Sequence, residues 1–219
     1  MQTRSSLLKF KHDPVELQEL IAETANVIPS LRSGVIEKDY YLTQVIQALA
    51  DIKNNYFSLI FVGGTALAKA HRLINRMSED CDFRIQMSAE AESLSKSQFK
   101  SQLKKFRQEA LHYLSEYGFL ISEENIKVRN EGNYIRVDIP YQSTTELNTV
   151  LRPHIQLELI AINTKSPVEN KNVTTLIRQI LGDAIPHTEK SIECITVPET
   201  AADKWVALTR RVANCNPPV

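Results

Sequence analysis

The sequence has no surplus of either charge. Its 26 lysines and arginines balance 26 aspartates and glutamates, for a formal net charge of zero. No global field draws such a chain to a polyanion, so any affinity for nucleic acid has to come from local patches. Cysteine is scarce, with Cys81, Cys194 and Cys215 and no Cys-x-x-Cys spacing. That excludes a disulfide framework and a thiolate zinc site, and fits free thiols in a reducing cytoplasm. The histidines, His12, His71, His112, His154 and His187, show no paired ligand spacing on one predicted element. No Ser-His-Asp constellation can be assembled either. No apolar run approaches the roughly 20 residues that span a bilayer, and the N-terminus Met-Gln-Thr-Arg-Ser-Ser lacks an apolar signal core. A cytoplasmic protein without a membrane partner is expected. There is no internal repeat and no long low-complexity segment. What is present is an ordinary globular composition, 42% hydrophobic and 24% charged, over 219 residues. That length suffices for one mixed domain or two small ones.

The stretch from Leu59 to Ile85 organises the rest. Leu59-Ile60-Phe61-Val62 is a short apolar run of strand type, and Gly63-Gly64 breaks it. Thr65 is placed to cap a helix reaching about Ile74. Ser78-Glu79-Asp80-Cys81-Asp82-Phe83-Arg84-Ile85 then begins a second strand. Strand side chains alternate faces, so Asp80 and Asp82 point the same way. Two parallel carboxylates beside a glycine turn at a helix N-terminus suit hard cations held against a polyphosphate. The backbone N–H groups and the helix dipole favour phosphate oxygens, and the carboxylates favour Mg²⁺. Lys69, on the same helix, is open to two roles: contact with a phosphate, or pairing with a nearby carboxylate.

Helices are expected at residues 13–25, with Asp13 as cap, Pro14 at the first position and Val15, Leu17, Leu20 and Ile21 on the apolar side. A second runs from Ile36 to about Ala50 and opens on Glu37-Lys38-Asp39-Tyr40. A carboxylate is favourable in a first turn, so a structural role for these charges is the simpler reading. Ser97 to Tyr117 reads as a long amphipathic helix with Phe99, Leu103, Phe106, Ala110, Leu114 and Tyr117 as its buried stripe. Lys96, Lys100, Lys104 and Arg107 make a second, basic stripe, either a solvated face or a landing surface for RNA phosphates. Strands follow at 126–129, 134–141 and 154–161, then a loop at 164–172, a short helix at 174–181, a strand at 192–197 and a helix from Glu199 to Arg211. On the strands, Asp138 and Glu158 both alternate against apolar neighbours.

Gly63-Gly64-Thr65-Ala66-Leu67-Ala68-Lys69-Ala70 followed by Arg76-x-Ser78-Glu79-Asp80-x-Asp82 resembles the AbiEii/AbiGii toxin family within the polymerase-β-type nucleotidyltransferases. Glu37-Lys38-Asp39-Tyr40, and Pro198-Glu199-Thr200 before a helix bearing Lys204, resemble it too. The resemblance covers roughly residues 37–211. It implies an α+β fold: a small mixed β-sheet nucleotidyltransferase core, with packed helices and a helical C-terminal part. Residues 1–161 would form the core with its N-terminal helices, and 162–219 the helical part. Family members continue into further helices with an Arg-His…Asp-type motif, so a chain ending at Asn216-Pro217-Pro218-Val219 is expected to be incomplete there.

The resemblance also implies Mg²⁺-dependent nucleotidyl transfer with two metal ions and a nucleoside triphosphate as substrate. Asp80, Asp82 and a third acid would hold the metals; Glu158 is the candidate and Asp138 its rival. Gly63, Gly64, Thr65, Lys69, Ser78 and Lys204 would hold the nucleotide, with Lys204 also offsetting charge during catalysis. The family further implies a toxin with a cognate antitoxin, and an RNA acceptor such as a tRNA 3′ end. Transfer to a small molecule or a protein, and a non-catalytic nucleotide- or RNA-binding module, remain the alternatives.

Overall fold

The computed structural model describes residues 14–74, 77–145, 151–182 and 189–215, with side chains as far as residue 210. The expected Asp13 cap, Arg76, the side chain of Arg211, and the terminal Asn216–Val219 stretch lie outside the described residues. The described elements are α1 (Pro14–Val27), α2 (Ser33–Leu49), β1 (Phe57–Val62), α3 (Gly63–Lys69), β2 (Asp80–Met87), α4 (Ala89–Glu92) and α5 (Lys96–Glu116). They continue with β3 (Ile126–Arg129), β4 (Tyr134–Pro140), β5 (His154–Ala161), β6 (Glu169–Val173), α6 (Leu176–Leu181), β7 (Lys190–Cys194) and α7 (Val197–Cys215). The seven strands form one mixed sheet in the order β3-β4-β5-β2-β1-β7-β6. β1 runs antiparallel to β2 and parallel to β7, and β2 runs parallel to β5. The architecture is the expected α+β one with a mixed sheet. The segment at 164–172, read as a loop from its polarity, supplies β6, because edge pairing with β7 satisfies its backbone.

One face of this sheet is the core. Phe57, Leu59 and Phe61 of β1, Cys81, Phe83 and Ile85 of β2, Ile135, Val137 and Ile139 of β4, and Ile155, Leu157 and Leu159 of β5 are all buried in a single cluster with α1, α2 and α5. The period-2 alternation therefore sends the intervening residues, Asp80 and Asp82 among them, to the other face. Helix α5 begins in a capping box between Ser95 and Gln98 and buries Leu103, Phe106, Ala110 and Leu114. It lies on the core side. Two members of its basic stripe are engaged: Lys100 pairs with Glu131 at 2.5 Å, and Arg107 donates to the carbonyls of Leu103 and Gly132. The stripe thus lies across the sheet from the carboxylates. On α1, Val15 is exposed while Leu17 and Ile21 are buried, so the apolar side is narrower than its sequence suggests.

Helix α2 is not amphipathic in place: every residue from Ile36 to Leu49 is buried. Its charged run lies inside the helix rather than in the first turn, and each charge grips a different part of the chain. Glu37 accepts hydrogen bonds from the Ser143 and Thr145 hydroxyls, both at 2.6 Å, and from the backbone and hydroxyl of Thr144 at 2.5 and 2.8 Å. Burial disfavours its ionised form, but these donors outweigh it and hold the carboxyl below its ordinary value. Lys38 donates to Glu79 at 2.5 Å and to the Arg152 carbonyl at 2.7 Å. Asp39 accepts from Lys69 at 2.5 Å and from the backbone N–H of Leu176 at 2.7 Å.

A fully buried ammonium is tolerated only with such partners, and removing one side of the pair leaves an uncompensated charge. Lys38→Ala strands the half-buried Glu79 and the Arg152 carbonyl. The expected outcome is a loss of about 3 kcal/mol of unfolding free energy, read by urea titration. A change below about 0.5 kcal/mol, the range of ordinary surface substitutions, would show that the contacts carry little.

Candidate active site

The second face of the sheet brings the acids together by register. Asp80 lies opposite Gln156 and Asp82 opposite Glu158 across the parallel β2–β5 pair. Asp138 lies one strand further out, opposite Gln156 on its far side, while Arg136 faces Glu158. Asp138 is already engaged by two cations, Arg136 at 2.8 Å and Lys127 at 3.8 Å, with the His154 ring at 3.6 Å, whose protonated form burial disfavours. Of the two rivals for a third acid, Glu158 is the one adjoining the Asp80–Asp82 pair.

The carboxylates act on one another. Burial first, and then the charges of Glu158 and Asp80, push Asp82 up to about 7, against a partial pull down from Lys204. Such a carboxyl combines burial with like charge that the protein offsets only in part, and such perturbation clusters at functional sites. Arg152 meets Asp80 at 2.6 Å, and Gln156 donates to Glu158 at 2.8 Å. With these partners in place, no three Asp, Glu, His or Cys side chains among the described residues converge on one point as metal ligands. The donor chemistry is nevertheless that of a hard divalent cation: three carboxylates in adjoining register with an unbalanced charge at their centre.

The glycine turn is fitted to Asp82. Gly63 has φ +82°, and a Cβ there would overlap Asp82 Oδ2. Only glycine combines that backbone with such close approach. Helix α3 is shorter than its sequence suggests: it ends at Lys69, and Arg72 has φ 54°, which turns the chain away. Two residues of the expected nucleotide set are placed otherwise. Thr65 is no cap; it is buried inside α3, its hydroxyl bonded to Ser78 Oγ at 2.7 Å and to the Asp80 carbonyl. Lys69 takes the second of its two open roles, as the buried partner of Asp39. Gly64 lies beside Gly63, and Ser78 stands two residues before Asp80.

Lys204 is exposed on α7, close enough to oppose the rise at Asp82. Its placement depends on a residue that sequence reasoning passed over. Arg84 follows Asp80 and Asp82 at the next same-face position and reaches Glu199 at 2.6 Å and Asp203 at 2.5 Å. Glu199 also accepts from the backbone of Lys165 and Ser166, both at 2.8 Å. This buried grip fixes the start of α7 against β2. The strand alternation contained the signal for Arg84. Nothing in the sequence pointed to Arg152 or Gln156.

The family model described as nucleotidyl transferase AbiEii toxin, type IV TA system, matches residues 47–214. The chain belongs to the AbiEii nucleotidyltransferase toxin family. MenT4, a nucleotidyltransferase toxin from Mycobacterium tuberculosis H37Rv, has a similar fold, with a TM-score of 0.52 at 17% identity over 84% of this chain. The chain spans 57% of that protein's length. No curated protein matches the chain. Within this AbiEii chain, no helix among the described residues is long and apolar enough to cross a membrane.

The balance at Asp82 gives a sign-definite pH dependence. Its folded pKa is raised from 3.8 to about 7, so between these values the folded state holds a proton that the unfolded chain has lost. The metal-free protein therefore loses stability as pH rises through that window, with the full penalty above it. Asp82→Asn removes the penalty. At pH 8 the variant is expected to melt a few degrees higher than the unaltered protein, at about 2–4 °C per kcal/mol for a chain of this size. At pH 4 the two should coincide. Differential scanning calorimetry at both pH values checks this, and equal melting at pH 8 would contradict it.

Proposed function

We propose that this chain transfers a nucleotide from a nucleoside triphosphate to an RNA acceptor such as a tRNA 3′ end, as the toxin of a pair with a cognate antitoxin. The observation that carries the reading is the register of Asp80, Asp82 and Glu158 on one sheet face, with the Gly63 turn pressed against Asp82. Mg²⁺ ions held by Asp80, Asp82 and Glu158 would supply two-metal chemistry, activating the acceptor hydroxyl and steadying the departing pyrophosphate.

The remaining steps belong to this chain's own groups. The Gly63-Gly64 turn borders Asp82 and Ser78 stands two residues ahead of Asp80, where they can orient a triphosphate. Lys204 offers a mobile point charge to balance it, held over the site by the Arg84–Glu199 grip. Thr65 and Lys69 brace this arrangement from behind rather than touching the nucleotide.

An acceptor has to approach from the carboxylate side of the sheet. That favours Lys127, Arg129 and Arg136, which flank the acids on β3 and β4, over the α5 stripe on the other side. Only Arg136 of these three is held tightly, by Asp138.

Incubation with each labelled nucleoside triphosphate, Mg²⁺ and total RNA tests the reading. Label is expected in RNA, and Asp80→Asn or Asp82→Asn should abolish it without unfolding the protein. Label in a small molecule or in protein would replace the acceptor, and absence of pyrophosphate release would leave a binding module. The double variant Lys127→Glu, Arg129→Glu should lower RNA labelling at least about tenfold and flatten its salt dependence, since each phosphate contact contributes a slope of roughly −0.7 for single strands. Lys96→Glu, Lys104→Glu on α5 should leave both unchanged. The reverse pattern would move the acceptor to the helix.

A further inference from the structure

The buried run on α2 and the half-exposed Arg152 belong to one device. Arg152 precedes β5, and its main chain is held from both sides. Its N–H donates to Glu79 Oε2 at 2.8 Å, and its carbonyl accepts from Lys38 at 2.7 Å. Lys38 and Glu79 are themselves joined at 2.5 Å, with the lysine side chain fully buried. The Cα of Arg152 is thus fixed by a closed triangle of charged and backbone groups that the arginine side chain takes no part in. From that seat the guanidinium reaches Asp80 at 2.6 Å and Gln156 at 2.8 Å. The side chains of Arg152 and Asp80 are 45% and 39% exposed, so the contact is a wet one that can open.

The contact lies within the carboxylate cluster. Asp80 and Asp82 share one face of β2, and Asp82 lies opposite Glu158 on β5. Without a cation at Asp80, three neighbouring carboxylates would share one sheet face, with Arg136 opposite Glu158 and Lys204 near Asp82 as flanking charges. A fixed main chain bearing a half-exposed side chain supplies that charge and can withdraw it without disturbing the backbone.

We propose that Arg152 is a built-in counter-cation of the carboxylate cluster, seated on Asp80 until a divalent cation displaces it. Through the assignment of Asp80 as a metal ligand this rests on the function proposed above. The guanidinium and the metal compete for the same oxygens, so the arginine sets the concentration of metal at which the site fills. It keeps the metal-free fold from carrying an open cluster of like charge. This role for the pair of fully buried Lys38 with half-buried Glu79 explains why so costly a lysine stands within α2.

The test needs no turnover. Mn²⁺ binding to the full chain, read by the electron-spin-resonance signal of the free ion, should be about tenfold tighter in Arg152→Ala, in keeping with the loss of one competing charge-assisted hydrogen bond. Arg152→Lys should fall between, since it keeps the charge and loses the fork. Unchanged or weaker binding in Arg152→Ala overturns the proposal and leaves the metal reading standing. No Mn²⁺ bound by any of the three proteins overturns both.

Nuclear magnetic resonance of the guanidinium isolates the contact from a general charge effect. Slow rotation of the Arg152 Nη groups is expected in the metal-free protein, with its loss at saturating Mg²⁺ and also in metal-free Asp80→Asn. Slow rotation that persists at saturating Mg²⁺ would show the arginine is not displaced, and overturns the proposal.

Discussion

Parallel pairing of β2 with β5 in a single register holds this molecule's chemistry and its core in place together. Because side chains alternate with period two, the register that sets Asp82 beside Glu158 also sets Cys81, Phe83, Leu157 and Leu159 in the core. A slip of one residue would bury the acids under α2 and α5 and expose the aromatics. The apolar face therefore selects the register, and the carboxylates are carried along. Two acids from one strand and one from its neighbour then come together although 76 residues separate Asp82 from Glu158, the difference of their positions in the chain.

That selection has to hold against a repulsive arrangement. Three carboxylates share one face, and Asp82 is driven up to about 7 by burial and by its neighbours. The fold answers with cations: Arg152, ahead of β5, on Asp80; Lys204 of α7 near Asp82; and Arg84, on β2 itself, securing the helix that bears Lys204. Each comes from a different part of the chain. The resulting site keeps like charges together on one face at some cost in stability, as sites that trade stability for function do.

Helix α2 supplies the rigidity this demands. Three consecutive charges, Glu37, Lys38 and Asp39, point in different directions from a buried helix and anchor the 143–145 loop, the approaches to β2 and β5, and the junction of α3 with α6. Buried ion pairs add little net stability compared with apolar packing, but they accept few alternative geometries. Their effect here is to fix loops that would otherwise position the acids loosely. Gly63 completes the fit by admitting Asp82 where any side chain would collide.

The sequence by itself determined the elements and the faces. Periodicity located β1, β2, β4, β5 and the buried stripe of α5 nearly to the residue, because each segment's burial is written in its own alternation. It placed Asp80 and Asp82 together for the same reason, and the Gly-Gly turn with the acids was distinctive enough to suggest the family. What local pattern cannot contain is which segments meet. Glu158 and Asp138 have the same alternation, and only strand order separates them. Lys69 could reach a phosphate or a carboxylate until α2 came to lie against it. Lys38 looked like a first-turn charge, and Arg152 like nothing in particular. Their roles are set by hydrogen bonds spanning 41 to 114 residues of chain. Such contacts exist only after the hydrophobic core has chosen the topology, so they are decided by tertiary structure and by nothing shorter in range.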